Sequence, residues 1–455
     1  MSLLLKLEAY SYKSSKQSKM RKVKFIDLFA GIGGIRKGFE QAFNAVGYET
    51  ECVLTAEIKE HAIKVLKANH PDEEIMGDVT KIPTNEISDF DFLLAGFPCQ
   101  AFSSAGKRLG FLDTRGTLFF EVERILREKK PFGFILENVE GLVNHDKADP
   151  KAKIGRTLQT ILQKLDELGY LYSWKVLNSK DFGLPQDRKR IYIVGSLKGA
   201  PDLANFVPVH ATIESILDQG CPTVDTPFTR LLLSHYTPSE LYGKAIKDKR
   251  GGNNNIHSWD IEMKGPVSAV QKQLLNALSR ERRKKTWAKE IGIDWMDGMS
   301  LNEGQISTFF THTNLHGLLE DLVEKGYLRK EYPKALVEQD DLFGKRKVRM
   351  QDPTKPIGYN IVAGKLSFEI SKVLDPDGIA PTMVAMDMKK NYVIDSGKLR
   401  PLTLREGLRL FGYPNDFAFP VTVDEGYDLL GNTVAVPVIK AVAEKLEYIY
   451  STHNI

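Results

Sequence analysis

The chain has 455 residues, of which 42% are apolar and 27% are charged, with a net charge of +4. This length suggests two or three domains, and the composition excludes a disordered or collagen-like chain. Three cysteines cannot form a complete disulfide framework, and no apolar run reaches the ~18 residues of a membrane helix. We therefore expect a protein of the reducing prokaryotic cytoplasm with no membrane partner.

The positive charge is concentrated in one internal segment. Residues 241–350 contain 20 Lys and Arg against 15 Asp and Glu, whereas the rest of the chain contains 43 and 44. Such a bias fits a surface that faces nucleic acid, although an ordinary solvated basic surface gives the same pattern. The densest basic cluster is RERRKK at 280–285.

The first part of the chain has the pattern of an α/β fold. Residues 1–20 predict an N-terminal tail, and from Val23 short apolar runs alternate with helix-period segments. Strands separated by helices imply a mostly parallel sheet that is covered on both faces. Only 11 residues, 179–189, join the last two runs, which is too few for a crossover helix, so one strand should be antiparallel. The apolar runs are 23–30, 51–58, 91–97, 132–139, 171–178 and 190–196.

The pattern changes after residue 197. We place one domain at 21–197, completed by a turn and a final amphipathic helix within 430–455, and a second at 198–429. Residues 400–414 predict a further helix. Residues 301–332 predict short helices followed by an extended hairpin, which is similar to a winged helix near 300–350; an unrelated helical insert is the alternative.

Residues that follow the first strands could hold a nucleoside. In doubly wound sheets, ligands bind beyond the carboxyl ends of the strands. The glycine-rich segment 27–34 allows a tight turn there, Glu57 can accept hydrogen bonds from two ribose hydroxyls, and Asp78 can meet an adenine amine. Together they indicate a nucleoside cofactor without a pyrophosphate, although each carboxylate alone could be a solvated loop residue.

One cysteine differs from the other two. Cys52 and Cys221 fit the usual interpretation of a free cysteine as a small buried hydrophobe. Cys99 instead stands beyond the end of the apolar run 91–97, directly after Pro98, where a site is expected. The segment 101–116 that follows is Gly/Ser-rich and basic, which is typical of a mobile loop that could close over a phosphate backbone.

A carboxylate and two arginines should approach this cysteine. Glu137 lies at the end of the apolar run 132–139, where a buried carboxylate is costly unless it has a partner or a function. Because the strand from 190 should be antiparallel, its start lies at the same edge of the sheet as the other strand ends. Arg188 and Arg190 can therefore reach the same site.

These motifs, in this order, closely resemble the DNA cytosine-5 methyltransferase family of bacterial restriction–modification systems. The resemblance covers about 21–197 and 398–455. It implies a Rossmann-like S-adenosylmethionine-dependent methyltransferase fold, mostly parallel with one antiparallel strand, plus a smaller target-recognition domain within 198–429. The matching segments are DLFAGIGG (27–34), GFPCQAFS (96–103), ENV (137–139), QDRKR (186–190), LTLREGLRLFGYP (402–414) and GNTVAVPV (431–438).

The resemblance also implies a mechanism. Cys99 would add to C6 of a cytosine that is flipped out of the duplex, which makes C5 reactive toward a methyl donor. Glu137 would contact N3 and the exocyclic amine, and Arg190 would bind O2. Arg188 would support the site or a phosphate. No metal is implied.

The implied methyl donor is S-adenosyl-L-methionine, and the implied product is S-adenosyl-L-homocysteine. Phe29 would lie against the adenine, Glu57 on the ribose and Asp78 on the adenine amine. Ile58 occupies a position where the family often carries an aromatic, so this contact should be looser. The other expected cofactor residues are Gly31, Gly33, Val79, Pro98, Leu118, Asn432 and Thr433.

The implied substrate is double-stranded DNA, and the implied partner is a restriction endonuclease acting on the same site. The family usually acts as a monomer, and the protein would be associated with the nucleoid. The basic region 198–397 would read the DNA sequence. The residues expected to contact DNA are Gln100, Ser103, Lys107, Arg115, Arg282, Arg283, Lys284, Lys285 and Thr382.

Three alternatives stay open from the sequence. One is an RNA cytosine methyltransferase on the same fold, which the Pro-Cys-Gln loop and the large recognition region disfavour. A second is a catalytically silent DNA-binding protein, against which the set Cys99, Glu137 and Arg190 argues. A third is a nicotinamide-dependent oxidoreductase, but the third glycine of that fingerprint falls on Arg36.

Overall fold

The computed structural model of the chain describes residues 21–98, 118–147, 149, 151–248, 254–293, 298–341, 344–362, 368–385 and 387–453. The expected N-terminal tail, residues 1–20, lies outside these ranges. So do five of the predicted site residues, namely Cys99, Gln100, Ser103, Lys107 and Arg115.

The described part of the chain alternates strands and helices. The strands are β1 (Arg21–Leu28), β2 (Tyr48–Ala56), β3 (Ile75–Met76), β4 (Phe92–Ala95), β5 (Gly133–Val139), β6 (Leu171–Asn178), β7 (Lys189–Ser196), β8 (Ala245–Ile246), β9 (Asn255–Ile256), β10 (Leu328–Glu331), β11 (Lys334–Asp341), β12 (Gly344–Gln351), β13 (Gly358–Ile361), β14 (Lys372–Val373), β15 (Asn391–Asp395) and β16 (Lys398–Pro401). The α-helices are α1 (Gly34–Ala45), α2 (Glu60–Asn69), α3 (Leu118–Lys129), α4 (Arg156–Glu167), α5 (Pro227–His235), α6 (Pro238–Leu241), α7 (Ala269–Glu281), α8 (Lys285–Glu290), α9 (Glu303–Ser307), α10 (Leu315–Glu324), α11 (Leu404–Leu410), α12 (Val423–Asn432) and α13 (Val436–His453).

A seven-stranded sheet forms the centre of the first part of the chain. Its strand order is β3-β2-β1-β4-β5-β7-β6. Strands β1 to β5 pair in parallel, whereas β7 runs antiparallel to both β5 and β6. The predicted mostly parallel sheet with one antiparallel strand is therefore confirmed. The strand order changes direction between β1 and β4, and this is the edge position at which such sheets bind ligands.

Alternating side chains cover this sheet on both faces. In β4, Leu93 and Ala95 enter one core with α3 and α4, while Phe92 and Leu94 enter another with α1 and α13. This alternation follows from the two-residue period of a strand. A sheet that is buried on both faces needs continuous apolar strands, which is the pattern visible in the sequence.

The described residues divide into two compact units. The first contains 21–216, 379–388 and 403–453, and the second contains 217–378 and 389–402, apart from the undescribed positions. The division differs from the sequence boundaries at 197 and 430. Residues after 403 belong to the first unit because they bond to its helices: the Asn69 amide donates to Ala418 O, and Lys59 pairs with Asp428.

The second unit has two cores of its own. A five-stranded sheet in the order β16-β15-β14-β8-β9 packs with α5, and helices α7 to α10 pack with β10 and β13. Among the helices that the structure describes, none combines the length and the apolar character that crossing a membrane requires.

Candidate active site

The turn after β1 is closely packed on its inner side. Phe29 and Gly33 have φ of +56° and +79°, and α1 begins immediately afterwards at Gly34. A Cβ atom on Gly34 would lie 2.5 Å from Tyr413 Oη and 2.7 Å from Val434 Cγ2. A larger residue there would push the turn away from the segment that contains Tyr413 and Val434. The predicted glycine turn is thus held against the C-terminal part of the first unit.

Three backbone amides orient the carboxylate of Glu57. Gly31 N donates to Oε2 at 2.7 Å, and Ile58 N and Lys59 N each donate to Oε1 at 2.8 Å. Each carboxylate oxygen can accept more than one hydrogen bond, so the fixed group can still receive ligand hydroxyls. The side chain of Ile58, another predicted cofactor residue, is 72% exposed.

The next predicted cofactor residues, Asp78 and Val79, follow the end of β3. The Asp78 carboxylate accepts hydrogen bonds at Oδ1 from the amide and the hydroxyl of Thr80, at 3.0 and 2.8 Å, and these bonds lower the pKa of Asp78. Both bonds end on Oδ1, which leaves Oδ2 for a ligand amine. Val79 is buried in the same core against which Phe29 and Leu118 pack. A carboxylate oxygen therefore adjoins an apolar surface, as an adenine would require.

The turn before α13 contains two further predicted residues. The Asn432 amide donates to Asp428 O at 2.8 Å, which ends α12. The Thr433 hydroxyl and the Tyr413 hydroxyl lie 2.6 Å apart and are buried. Since Tyr413 also adjoins Gly34, Thr433 is joined to the glycine turn through a single side chain.

Asp27 is a buried carboxyl group at the end of β1. It is fully buried, and neither oxygen has a hydrogen-bond partner among the described residues. Burial raises the pKa of Asp27 to about 8, against the opposing charge of Arg36. The neutral acid is therefore the main form in the folded chain at neutral pH.

The Asp27→Asn variant should show the consequence of this raised pKa. A folded-state pKa above the unfolded value stabilises the protein at low pH, and that stabilisation is lost as the pH rises toward 8. Asparagine does not titrate, so the variant should gain about 2 kcal/mol over the wild type between pH 6 and pH 8. Urea unfolding at the two pH values measures this. The same difference in unfolding free energy at both would contradict the assignment.

Glu137 and Arg190 form an ion pair at the edge where β5 ends. Arg190 Nε lies 3.2 Å from Glu137 Oε1, and the two side chains are only 13% and 10% exposed. The antiparallel register, in which Val139 faces Arg190, brings them together. Burial raises the pKa of Glu137, although the charges of Arg190 and Arg188 oppose this. A carboxyl group whose pKa is raised by burial and a guanidinium thus lie side by side at this edge of the sheet.

Arg188 has a supporting position. It is buried, and its guanidinium donates to Met383 O at 2.9 Å, to Gly431 O at 3.3 Å and to Thr433 O at 2.7 Å. These bonds join the start of β7 to the turn before α13. Of the two roles that the sequence left open, this geometry favours support of the site over contact with a phosphate.

The segment after β4 leads toward Glu137. The Asn138 amide donates to Phe97 O at 3.2 Å, and a Cβ atom on Gly96 would lie 3.7 Å from Glu137 Oε2. Pro98 follows at this end of the described segment, and Cys99 is the next residue in the chain. The described approach to Cys99 therefore passes beside the carboxyl of Glu137.

The basic cluster divides into core and surface residues. Arg282 is buried, bonds to Asn360 and packs against Gly298, at 3.1 Å from the position of a Cβ atom there. The expectation that Arg282 contacts DNA is therefore wrong for this arrangement, because its guanidinium is used inside the second unit. Lys284 and Lys285 are exposed, and Arg283 is half-buried.

Thr382 lies in the first unit, and its hydroxyl donates to Asp187 O at 2.6 Å.

Gln186, which precedes Asp187 in the chain, is a residue to which the sequence analysis gave no role. It is buried, its amide donates to Leu410 O at 3.3 Å and its oxygen accepts from Met383 N at 3.2 Å. The only feature of the sequence that could have indicated a role for Gln186 is its position beside the two arginines of QDRKR. No individual role was assigned to Asn138, Asp27 or Tyr413 from the sequence either.

Comparisons with known proteins identify the family of this chain. The family described as C-5 cytosine-specific DNA methylase matches residues 23–448. Type II methyltransferase M.NlaIV of Neisseria lactamica is 61% identical over 427 residues, which is 94% of this chain and 99% of that protein. Type II methyltransferase M.BanI of Aneurinibacillus aneurinilyticus is 42% identical over 449 residues, which is 93% of this chain and 96% of that protein.

Among solved structures, the Entamoeba histolytica methyltransferase EhMeth has a TM-score of 0.50 at 16% identity, covering 95% of this chain and 99% of that one. This likeness concerns the fold. The family match over most of the chain, the high identity to the two Type II enzymes and the paired Glu137 and Arg190 lead to one assignment. The chain belongs to the C-5 cytosine-specific DNA methylase family and is a DNA (cytosine-5-)-methyltransferase.

Proposed function

We propose that the enzyme methylates C5 of one cytosine within a short site of double-stranded DNA, through a covalent bond between Cys99 and C6, and so protects that site from a restriction endonuclease. The observation that supports this mechanism best is the buried pair of Glu137 and Arg190, 3.2 Å apart. An acid and a cation side by side match the N3 and O2 atoms of a cytosine, which are neighbouring acceptors on one edge of the ring.

Glu137 supplies the proton that the reaction needs. Addition of a nucleophile at C6 of cytosine places negative charge on the ring. A proton at N3 neutralises this charge and so allows the addition. Burial raises the pKa of Glu137 and so favours the carboxylic acid, which can donate to N3. The other carboxyl oxygen can accept from the exocyclic amine. One side chain would thereby distinguish cytosine from thymine.

Arg190 stabilises the charge that remains on O2. Its guanidinium is held near Glu137 before any substrate arrives, so little reorganisation is needed during the reaction. Arg188 keeps the start of β7 in place through three backbone carbonyls. In this proposal Arg190 touches the base, and Arg188 is a positioning residue.

The proposed reaction begins with addition of Cys99 to the ring and ends with its elimination. The Cys99 thiolate forms a bond to C6, N3 takes a proton from Glu137, and C5 becomes an enamine carbon. C5 then forms a bond to the methyl group of the donor, whose methyl–sulfur bond would break to leave S-adenosyl-L-homocysteine. Water, the base that we propose for this step, removes the proton from C5. The C6–S bond breaks, the thiolate leaves and N3 returns its proton. Cys99 acts as the thiolate because that form is the nucleophile.

The residues at the cofactor end fit S-adenosyl-L-methionine, which supplies an electrophilic methyl group when it is bound. Glu57 presents an oriented carboxylate for the ribose hydroxyls, and Asp78 presents Oδ2 for the adenine amine. Phe29, Val79 and Leu118 provide the apolar surface for the ring. Gly31 and Gly33 shape the turn, and Pro98, Asn432 and Thr433 complete the proposed set.

The Glu57→Gln variant should bind the cofactor weakly. The single amide oxygen of glutamine can accept in place of one carboxylate oxygen. Its uncharged side chain cannot form charge-assisted hydrogen bonds with the amides of Gly31, Ile58 and Lys59. Loss of a charge-assisted bond of about 1.5–3 kcal/mol corresponds to a roughly 10- to 150-fold higher Kd. Calorimetric titration with S-adenosyl-L-homocysteine measures the change. Glu60→Gln, an exposed glutamate at the start of α2, is the matched control, and equal Kd values for both variants would contradict the role.

The substrate base must leave the helix to reach this site. A stacked cytosine exposes neither face of C6, so flipping at a cost of a few kcal/mol is part of the proposal. Arg283, Lys284 and Lys285 are retained as candidate DNA contacts in the second unit, together with Thr382 in the first. The proposed contacts outside the described residues are Gln100, Ser103, Lys107 and Arg115.

Base-resolution mapping of 5-methylcytosine tests the proposed function. Mixed-sequence DNA is incubated with the enzyme and S-adenosyl-L-methionine, and Cys99→Ser serves as the control. Methylation confined to one short motif, absent in the control, is the expected result. Methylation of transfer RNA but not of DNA would move the activity to RNA. Digestion of the product DNA by an endonuclease specific for that motif then tests protection.

A further inference from the structure

We infer that residues 269–361 form a winged-helix module that reads the DNA sequence, with the turn before α10 in the major groove and the β11–β12 hairpin on the backbone. The inference rests on the proposed function, because it names the part of the enzyme that recognises the methylation site. Three features carry it, namely the order of the elements, the chemistry of the turn and the charge of the hairpin.

The order of elements is that of a winged helix. After α7 and the short helix α8 come Leu301, α9, α10, β10, the hairpin β11–β12 and β13. Leu301 pairs antiparallel with Tyr359 of β13, and β10 pairs antiparallel with β13 on the other side. A small antiparallel sheet thus follows a helix–turn–helix, and the hairpin leaves between two of its strands. In proteins with a helix-turn-helix, the second helix is the one that enters the major groove.

One shared core makes this module a single body. Buried residues of α7, α9 and α10 pack with those of β10 and β13, including Leu274, Ile306, Leu319, Leu328 and Ile361. Such a core fixes α10 relative to the sheet from which the hairpin extends. Recognition of DNA needs this rigidity, because base contacts depend on a set position of the helix in the groove.

The turn before α10 exposes side chains that suit base edges. Thr311, His312, Thr313, Asn314 and His316 are all exposed. The segment 308–318 contains no Lys, Arg, Asp or Glu, so it carries hydroxyl, amide and imidazole groups without a formal charge when the histidines are neutral. Hydroxyl, amide and methyl groups of this kind read hydrogen-bonding patterns and thymine methyls in the major groove.

His312 is prepared to donate a hydrogen bond. Its Nδ1 atom lies 3.1 Å from Asn314 N, which is a donor, so Nδ1 accepts and the neutral ring carries its hydrogen on Nε2. An exposed Nε2–H can donate to guanine or adenine N7. The Asn314 oxygen accepts from Gly317 N at 3.2 Å and caps the helix, which leaves the amide group of Asn314 as a donor.

Two of the three acidic residues of α10, Glu320 and Asp321, are paired with residues inside the module, and the third, Glu324, is exposed at the C-terminal end of the helix. Glu320 accepts from Lys330 at 2.7 Å and from the Tyr359 hydroxyl at 2.6 Å. Asp321 accepts from Lys325 at 2.7 Å and from Gln271 at 2.5 Å. These pairs hold α10 on β10, β13 and α7. They also neutralise two carboxylates that would otherwise repel a phosphate backbone.

The hairpin carries a positive excess, with five cations against three carboxylates in its two strands. Strand β12, GKRKVRMQ, holds four of the cations, and the carboxylates lie on β11. The register places Lys345 and Lys347 opposite carboxylates, whereas Arg346 and Arg349 lie opposite Gln339 and Leu336. Among the described strands, β11 and β12 pair only with each other, over eight residue pairs and about 25 Å. Isolated two-stranded hairpins are marginally stable in water, and this one also exposes Leu336, Val337 and Met350. A basic hairpin of this kind fits an anionic surface, and the duplex that the enzyme must bind provides one.

Two variants test the two parts of the surface. The turn variant combines Thr311→Ala, His312→Ala and Thr313→Ala and leaves the cap at Asn314 intact. The hairpin variant replaces its cations by glutamine, as Lys345→Gln, Arg346→Gln, Lys347→Gln and Arg349→Gln. The control removes the same charge at exposed lysines of the first unit, as Lys64→Gln, Lys67→Gln, Lys151→Gln and Lys153→Gln. Thermal midpoints show which variants are folded.

The readout is binding to a random pool of duplexes, followed by sequencing of the bound fraction at several salt concentrations. In the turn variant, the ratio of affinities for the preferred base and the other bases should fall roughly 5- to 150-fold at each contacted base pair. The slope of log affinity against log salt concentration (the salt slope) should stay unchanged. The hairpin variant should keep its preference and lose about 0.9 of the salt slope for each phosphate contact removed. The lysine control should change neither quantity beyond a small uniform loss of affinity.

The outcomes separate this inference from the proposed function. If the wild type methylates one motif but the turn variant retains the full preference, recognition lies elsewhere in the chain and the winged-helix inference fails while the function stands. An unchanged salt slope in the hairpin variant removes the DNA role of the hairpin and leaves a protein partner as its occupant. Selective binding without methyl transfer would instead support the module and overturn the proposed function.

Discussion

Replacing Glu137 by glutamine should lower kcat by about 10²- to 10⁴-fold, which is the usual contribution of a general acid. Glutamine has almost the same shape and can still lie near Arg190, but its amide has no proton to transfer to N3. The Kd for S-adenosyl-L-homocysteine should stay the same, because the cofactor residues lie around Glu57 and Asp78. Single-turnover methyl transfer and calorimetric titration measure the two quantities.

The pH dependence of the wild-type rate is a second test of Glu137 as the general acid. Its pKa is raised by burial, so the active acid is present at low pH and is lost as the pH rises through the folded-state pKa. The rate of the wild type should therefore fall at high pH, and Glu137→Gln should lack this decline. Glu140→Gln, an exposed glutamate just after β5, is the matched control. Equal rates for the wild type and Glu137→Gln would remove the acid from the mechanism.

The Cys99→Ser variant should lose at least ~10³-fold in methyl transfer, since removal of a nucleophile leaves only binding and electrostatic contributions. A serine hydroxyl ionises far less readily than a thiol, so almost no nucleophile is present at neutral pH. Binding to the methylation site should persist, because that contact does not need the sulfur. Methyl transfer from a labelled donor and DNA binding by fluorescence anisotropy measure the two effects.

The other cysteines provide the controls for this experiment. Burial raises the pKa of Cys52 to about 12, and its thiol donates to Leu54 O at 3.3 Å. Cys52 is thus a protonated packing residue, and Cys52→Ala should retain the rate per folded molecule. Cys221 lies in the second unit, and Cys221→Ser should also retain the rate. Residual turnover in Cys99→Ser near the wild-type level would exclude Cys99 as the nucleophile.

The sequence was sufficient for the central sheet and for the pair in the site. Continuous apolar runs predicted six of the seven strands, all but the two-residue β3, and the short connection 179–189 predicted the antiparallel β7 that places Arg190 beside Glu137. This worked because buried parallel strands have a distinctive composition and because a strand's direction determines which end meets the site. The roles of the residues came from the resemblance and could not be obtained from spacing alone.

Long-range burial could not be predicted in the same way. Arg282 stands in a basic cluster that suggests a surface, but Asn360, 78 positions later, takes its guanidinium into the core. Residues 379–388 join the first unit through single pairings such as Gln186 with Ala380, which leave no periodic pattern in the sequence. Asp27 likewise gives no sign in the sequence that both of its oxygens are buried.

The most direct test of the covalent mechanism uses a duplex with 5-fluorocytosine at the methylated position, which the mapping experiment identifies. Fluorine at C5 cannot be removed as a proton, so the C6–S bond should persist after methyl transfer. We expect a one-to-one covalent complex that requires S-adenosyl-L-methionine, with the modification on Cys99 in peptide mass spectra. An active enzyme that forms no covalent complex, or one linked through another residue, would contradict the covalent role of Cys99.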